Sequence, residues 1–150
     1  MNVRLPLSRV LPLFALFALM LVPASAFGQA AGAATVGERV EVEGGAFFHI
    51  SVPELQALRA SGGIDRLINV HIPDQGDIAG TDISIPFNEI ADHLNQLPTD
   101  KDAPVALYCR SGPMSVRAAT TLVGLGYTKV YSLAGGFNAW AAAGLPMVNP

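Results

Sequence analysis

The sequence predicts an α/β fold: a mainly parallel central sheet covered by helices on both faces. Two observations carry this. Short, almost uncharged runs, LINV (67–70), PVALYC (104–109) and KVYSL (129–133), recur along the chain, the last two each leading through a tight turn into a stretch at helical spacing. The runs lack the polar alternation of a strand with a wet face, so they read as strands buried on both sides. At 150 residues, 51% of them hydrophobic, the chain is long enough for one domain with a full core.

The elements follow in order. RVEVEGGAFFHI (39–50) alternates, which suggests a short edge strand and then a second strand around Phe47 to Ile50. Ser51 offers a cap for VPELQALRASGG, where Pro53 suits a first helical turn, Leu55 and Leu58 share a face, and Gly62 and Gly63 end the helix. LINV is the next buried strand. HIPDQGDIAGTDISIPFNEI is a loop with a short extended piece at Ile83 to Ile85, followed by NEIADHLNQL at helical spacing, which Pro98 ends, and the charged turn TDKDA. PVALYC, RSGPM and SVRAATTLVGLGY then read as strand, tight loop and helix. Val116, Ala119, Thr120 and Val123 fall at i, i+3, i+4 and i+7 and are expected to face the sheet. KVYSL, AGG and FNAWAAAG repeat the theme.

The first thirty residues have a different character. Arg4 and Arg9 precede VLPLFALFALMLV, an uncharged run interrupted by Pro12, and Pro23 is followed by the small-residue stretch ASAFGQA. That order predicts a secretory signal peptide over residues 1–26, cleaved after Ala26, with Ala30 as the alternative. The run is too short to span a bilayer, so no stable membrane insertion is expected after cleavage. Residues 27–45 are expected to form a flexible lead-in carrying the possible edge strand. Without Arg4 and Arg9 the mature chain keeps seven basic against twelve acidic residues, a net charge of −5, which argues against a nucleic-acid partner. Export implies a periplasmic or secreted location, where cysteines tend to be paired.

This chain has a single cysteine, Cys109, at the end of a buried strand and followed by the polar RSG. In open parallel sheets, ligands bind beyond the carboxyl ends of strands. With Gly112 supplying an unusual backbone conformation, the N–H groups of so short a loop can converge on the sulfur, and the positive end of the next helix adds to them. Such a cradle stabilises a thiolate and holds an anionic substrate. The competing reading is an inert cysteine closing a buried strand. Two cysteine chemistries use a loop of this kind. A phosphatase of the tyrosine-phosphatase sort needs an arginine six positions on, where this chain has Ser115, with Arg117 the nearest arginine beyond. A sulfurtransferase needs a shorter loop, which fits.

LYCRSGPMSVRAATTLVGLGYTKVYSLAGGFNAWAAAGLPM resembles the second half of a single-domain rhodanese, with CRSG, a helix ending in LGY, and LAGGFNAW. FFHISVPEL, LINV and GDIAGTDISIPFNEI resemble the first half, so that the likeness covers about residues 46–148. The resemblance implies a rhodanese-like three-layer fold and a sulfurtransferase in which Cys109 is the nucleophile. Cys109 would take sulfur from a small anionic donor such as thiosulfate and pass it as a persulfide to a thiol, cyanide or a protein acceptor. The loop Arg110, Ser111, Gly112, Pro113, Met114 and Ser115 would hold the persulfide by backbone N–H groups, and the Arg110 side chain would attract anions. No metal and no organic cofactor is implied. The chain departs from the family where a basic residue is common near the loop's end: Met114 stands there, and Arg117 is the candidate to compensate. Asn69, Val70 and His71 replace the family's Asp-Val-Arg, and GDIAGT replaces its Gly-His-Ile turn. A non-catalytic rhodanese-like module that binds a partner or carries sulfur is the alternative, and a cysteine phosphatase or arsenate-reductase-like enzyme a weaker one.

Other candidates have plainer readings. His49, His71 and His93 show no ligand spacing, and His71 is expected to be a loop histidine bonded to backbone rather than a base near Cys109. Asp74 and Asp77 read as a solvated turn, Phe137 and Trp140 as core packing, and the LAGG glycines equally as a tight turn near the site or as a purely structural turn.

Overall fold

The structure is a computed structural model that describes residues 36–148. The expected signal segment and most of the lead-in lie outside the described residues. Strand β1 (Glu38–Val42) pairs antiparallel with β2 (Gly45–Ile50). Helix α1 (Val52–Ala60) follows, its start held by Ser51, whose backbone N–H and hydroxyl both donate to the Glu54 carboxylate at 2.7 Å. Then come β3 (Arg66–Asn69), β4 (Asp77–Ile78), β5 (Ile83–Ser84), β6 (Val105–Tyr108), α2 (Pro113–Gly124), β7 (Val130–Leu133), α3 (Gly136–Ala142) and β8 (Met147–Val148). The main sheet runs β1-β2-β7-β6-β3-β5, parallel except for the β1–β2 pair, and β4 pairs antiparallel with β8 as a separate ribbon.

Side chains of a strand alternate between faces, and both faces here are dry. Phe47, Ile68, Val105 and Leu107 pack with Ala118, Ala119 and Leu122 of α2, and Ile90 and Leu97 join that side. Ile50, Leu67, Ala106, Tyr108 and Leu133 pack with Leu55 of α1 and with Phe137 and Trp140 of α3. The result is the three-layer α/β arrangement that the sequence predicts. By the same alternation, Cys109 continues the Val105 and Leu107 face and lies in the α2-side core.

Three local expectations are corrected. The sheet-facing residues of α2 are Ser115, Ala118, Ala119, Leu122 and Val123, while Val116 and Thr120 are half-buried. The buried stripe starts one residue earlier because Ser115 has a hydrogen-bonding partner in the sheet. The helix itself begins at Pro113, so the loop after β6 is shorter than RSGPM. The segment NEIADHLNQL is a 3-10 helix over Ile90–Gln96, kinked at His93, with only Ile90 buried. One apolar anchor gives an α-helix no face to dock, and the segment ends at Pro98.

Candidate active site

The loop after β6 is braced by its carbonyls. The N–H groups of Phe137 and Asn138, at the start of α3, donate to the oxygens of Cys109 at 2.9 Å and of Arg110 at 3.1 Å. The Gly112 oxygen accepts from the Val116 N–H at 3.0 Å and the Ser115 hydroxyl at 2.8 Å. In a trans peptide the C=O and the following N–H point in opposite directions, so anchoring the Arg110 oxygen on α3 aims the Ser111 N–H back toward the sulfur. Gly112 adopts φ +121°, a conformation that favours glycine, and its N–H donates to Cys109 Sγ at 3.0 Å.

Close approach of α3 to the loop depends on Gly136, at φ +54°. A β-carbon there would collide with the Cys109 carbonyl oxygen and lie 2.7 Å from the Arg110 carbonyl. The second glycine of LAGG is thus a requirement of the site's backbone.

Cys109 is buried, with 1% of its surface exposed. Burial, the largest single influence, pushes its thiol pKa up; the N–H groups of Ser115, Gly112, Ser111 and Met114 together outweigh it and hold the pKa below the usual cysteine value. The sulfur also sits at the positive end of α2, a helix of twelve residues. This arrangement stabilises a thiolate, and then a sulfur-bound anion, without a neighbouring base.

The other expected site residues divide into two sets. Ser111, Gly112, Met114 and Ser115 contribute backbone N–H groups. Pro113 has none to give and opens α2. The Ser115 side chain is fully buried, 2.9 Å from the Ser132 hydroxyl of β7, and does not face a ligand. The Met114 side chain is half-buried against the α2-side core. Arg110 is exposed at the loop's outer surface, and the Arg117 guanidinium lies 4.8 Å from the centre of the Phe87 ring. Ser132, which braces Ser115, escapes the sequence reading because a serine in KVYSL looks like an ordinary strand residue.

Behind the loop, Tyr108 turns to the opposite face. Its hydroxyl donates to Asp77 Oδ1 at 3.1 Å, accepts from the Ile78 N–H at 3.1 Å and lies 2.7 Å from the Thr81 hydroxyl. Burial drives the Tyr108 pKa far upward, so the phenol stays protonated. Asp77 also accepts from Asn69 at 2.9 Å and Ser84 at 3.2 Å. Asp77 is therefore a half-buried junction tying β3 to β4 and not part of a solvated turn; Asp74 does accept from the Gly76 N–H as a turn residue. The His71 ring bonds the Gln75 side chain at 3.1 Å rather than backbone, and it sits edge-on to Phe137 with centroids 5.5 Å apart. Trp140 is core, its indole N–H donating to the Pro146 oxygen at 3.0 Å. Among the described residues no group of three or more His, Cys, Asp or Glu is placed to hold a metal.

A cavity of 470 Å³ opens beside the loop, lined by Ser111, Gly112, Pro113, Val116 and Arg117, by His49 of β2, and by Ala134 and Gly135 of the β7–α3 turn.

Comparison with known proteins agrees with this geometry. The family model described as the rhodanese-like domain matches residues 54–143. A sulfurtransferase of Allochromatium vinosum is 41% identical over 68 residues, 45% of this chain and 62% of that protein, so the match spans less than two thirds of the relative's length. The thiosulfate sulfurtransferase GlpE of Pseudomonas entomophila is 35% identical over 97 residues, 63% of this chain and 84% of that protein. A human single-domain sulfurtransferase superposes with a TM-score of 0.56 at 27% identity, over 63% of this chain and 95% of that one. With its loop, its sheet order and these matches in agreement, the chain belongs to the rhodanese-like domain family and has sulfurtransferases among its relatives.

Proposed function

We propose that this protein is an exported sulfurtransferase that moves sulfane sulfur from a donor such as thiosulfate to a thiophilic acceptor through a persulfide on Cys109. The observation that carries the reading is the convergence of loop N–H groups on a buried sulfur, whose pKa they hold below that of an ordinary thiol. The Cys109 thiolate attacks the sulfane sulfur of thiosulfate, the sulfur–sulfur bond of the donor breaks, and sulfite leaves with the bonding pair. The persulfide anion keeps the loop donors as its counter-charge. An acceptor nucleophile then attacks the outer sulfur and Cys109 leaves as the thiolate. Neither step uses a metal or an organic cofactor.

Export to the periplasm or outside the cell is the part of the reading supported by the arginine-led apolar segment and small-residue stretch of residues 1–26. A phosphatase fits the site less well. Ser115, at the sixth place, turns its hydroxyl into the sheet, and Arg117 stacks on Phe87, so neither forms a guanidinium clamp for phosphate. A sulfur carrier without turnover is the second reading, favoured by the 1% exposure of Cys109, which narrows access to the sulfur.

Steady-state thiocyanate formation from thiosulfate and cyanide tests the proposal, with Cys109→Ser as the comparison. Turnover by the native protein and none by the variant supports it. Equal background rates in both would remove it.

A further inference from the structure

A strand position that faces a covering helix ordinarily holds a hydrocarbon side chain, because a hydroxyl buried there is costly unless it is bonded. Position 132 of β7 breaks that pattern. Paired neighbours in a sheet share a face, and Ser132 pairs with Leu107 of β6, which packs on the α2 side. Ser132 is fully buried, and its hydroxyl lies 2.9 Å from that of Ser115, itself fully buried at the start of α2.

The direction of this bond follows from the protons. A hydroxyl has one to give, and Ser115 gives its own to the Gly112 carbonyl at 2.8 Å. Ser132 is therefore the donor to Ser115, and the bonds form a one-way chain from Ser132 through Ser115 to the Gly112 oxygen. That oxygen also accepts from the Val116 N–H at 3.0 Å. Two donors on one carbonyl hold Gly112 at φ +121° and ψ −42°, the conformation in which its own N–H reaches Cys109 Sγ at 3.0 Å. Ser115 is tied to the sulfur a second time, since its backbone N–H has the largest influence of the loop donors in lowering the thiol pKa.

We infer that Ser132 is a positioning residue for the chemistry at Cys109: its buried hydroxyl, acting through Ser115, holds the Gly112 turn in the geometry that aims the loop N–H groups at the sulfur. The role deepens the proposed function and rests on its reading of Cys109 as the reacting thiolate. The Ser132 side chain bonds Ser115 and not the sulfur, so its effect is indirect. Without that donor the Ser115 oxygen is left unpaired in the core, its hydroxyl gains by turning away from Gly112, and the Gly112 carbonyl keeps one anchor in place of two. The loop N–H groups then no longer converge on one point.

Threonine and valine have nearly the same shape, so Ser132→Thr and Ser132→Val add the same bulk and differ in the hydroxyl. The pH midpoint of Cys109 alkylation by iodoacetamide reads the thiolate directly and needs neither a sulfur donor nor an acceptor. Ser132→Thr should keep the native midpoint. Ser132→Val should raise it by about half a pH unit, as expected when hydrogen bonds to a charged group weaken, so that alkylation well below the midpoint is about threefold slower. Ser132→Ala, which only removes an atom, should match Ser132→Val and decides the question if the larger side chains prevent folding. Arg110, Arg117 of α2, His49 of β2 and His71 beside α3 stay in place in every variant, as do Tyr108 and Tyr131 on the other face of the sheet. Ser115→Ala should raise the midpoint by a similar amount, and the double variant Ser115→Ala with Ser132→Ala should go no further, because the chain of bonds is already cut; unrelated losses of packing would add. Equal midpoints in Ser132→Thr and Ser132→Val, a native midpoint in Ser132→Ala, or additive shifts in the double variant would overturn the role of Ser132 and leave sulfur transfer untouched. A native protein that alkylates at the ordinary thiol midpoint would overturn the thiolate reading, and the role of Ser132 with it.

Discussion

The chemistry proposed for Cys109 follows from what surrounds its sulfur. The donors of Ser111, Gly112, Met114 and Ser115 favour the charged form, so the folded-state pKa lies below the unfolded value. The sign follows: Cys109 adds stability above the unfolded pKa, and that contribution is lost as pH falls through the folded value. Alkylation of Cys109 by iodoacetamide should therefore rise with pH and level off at a midpoint below the ordinary thiol value of about 8.5. A midpoint at the ordinary value would show that the loop does not stabilise the thiolate.

Met114 is the second residue that matters at this scale. Replacing it with arginine puts a flexible charge at the loop and should raise kcat/KM for thiosulfate about fivefold, the range of a partly exposed ion pair. Lost packing against the core should cost about 1 kcal/mol. Unchanged kinetics would show that the missing charge is unimportant.

The element that holds the proposed site is the strand β6, its loop and α2, clamped by the start of α3. Gly136→Ala should cost about 2–4 kcal/mol in chemical denaturation, combining a left-handed backbone with a clash against the Cys109 and Arg110 carbonyls. It should also lower sulfur transfer, because the clash displaces the loop. Gly62→Ala is the control: its φ is +71° but nothing lies within 4 Å of the added carbon, so the expected cost is about 1 kcal/mol. Equal losses in the two variants would show that contact with the loop plays no part.

The strand and helix of this element were legible in the sequence because the uncharged run PVALYC ends abruptly at RSG and the periodicity resumes at once. The register of α2 was harder to read. A buried serine looks like a polar surface position until its partner, Ser132, is known to lie across from it in β7. The role of Gly136 was open for a similar reason: two adjacent glycines mark a turn, but only the packed chain shows which of them touches the loop.

At the scale of the whole molecule, the alternation of strands and helices predicts a mainly parallel sheet, since a parallel strand pair needs a crossover and α2 supplies one between β6 and β7. The ribbon of β4 and β8 was not legible. Each strand has two residues, and the partners lie about seventy positions apart, Asp77 against Val148 and Ile78 against Met147. Nor was the junction at Asp77 visible, because it joins Asn69, Ser84 and Tyr108 from three separate strands.

The proposed export is also a property of the whole chain. Expressed in full in a bacterium with a periplasm, the protein should be recovered from that compartment with Phe27 as its first residue, read by N-terminal sequencing. Retention in the cytoplasm with residues 1–26 intact would contradict export and leave the chemistry at Cys109 untouched.

The central claim is that Cys109 accepts and gives up one sulfur atom. Its most direct test is the intact mass of the protein after thiosulfate treatment and again after cyanide. The expected result is a gain of a single sulfur on the native chain, lost on cyanide addition with one equivalent of thiocyanate, and no gain in Cys109→Ser. A native chain whose mass never changes with thiosulfate or with a persulfide donor would contradict it.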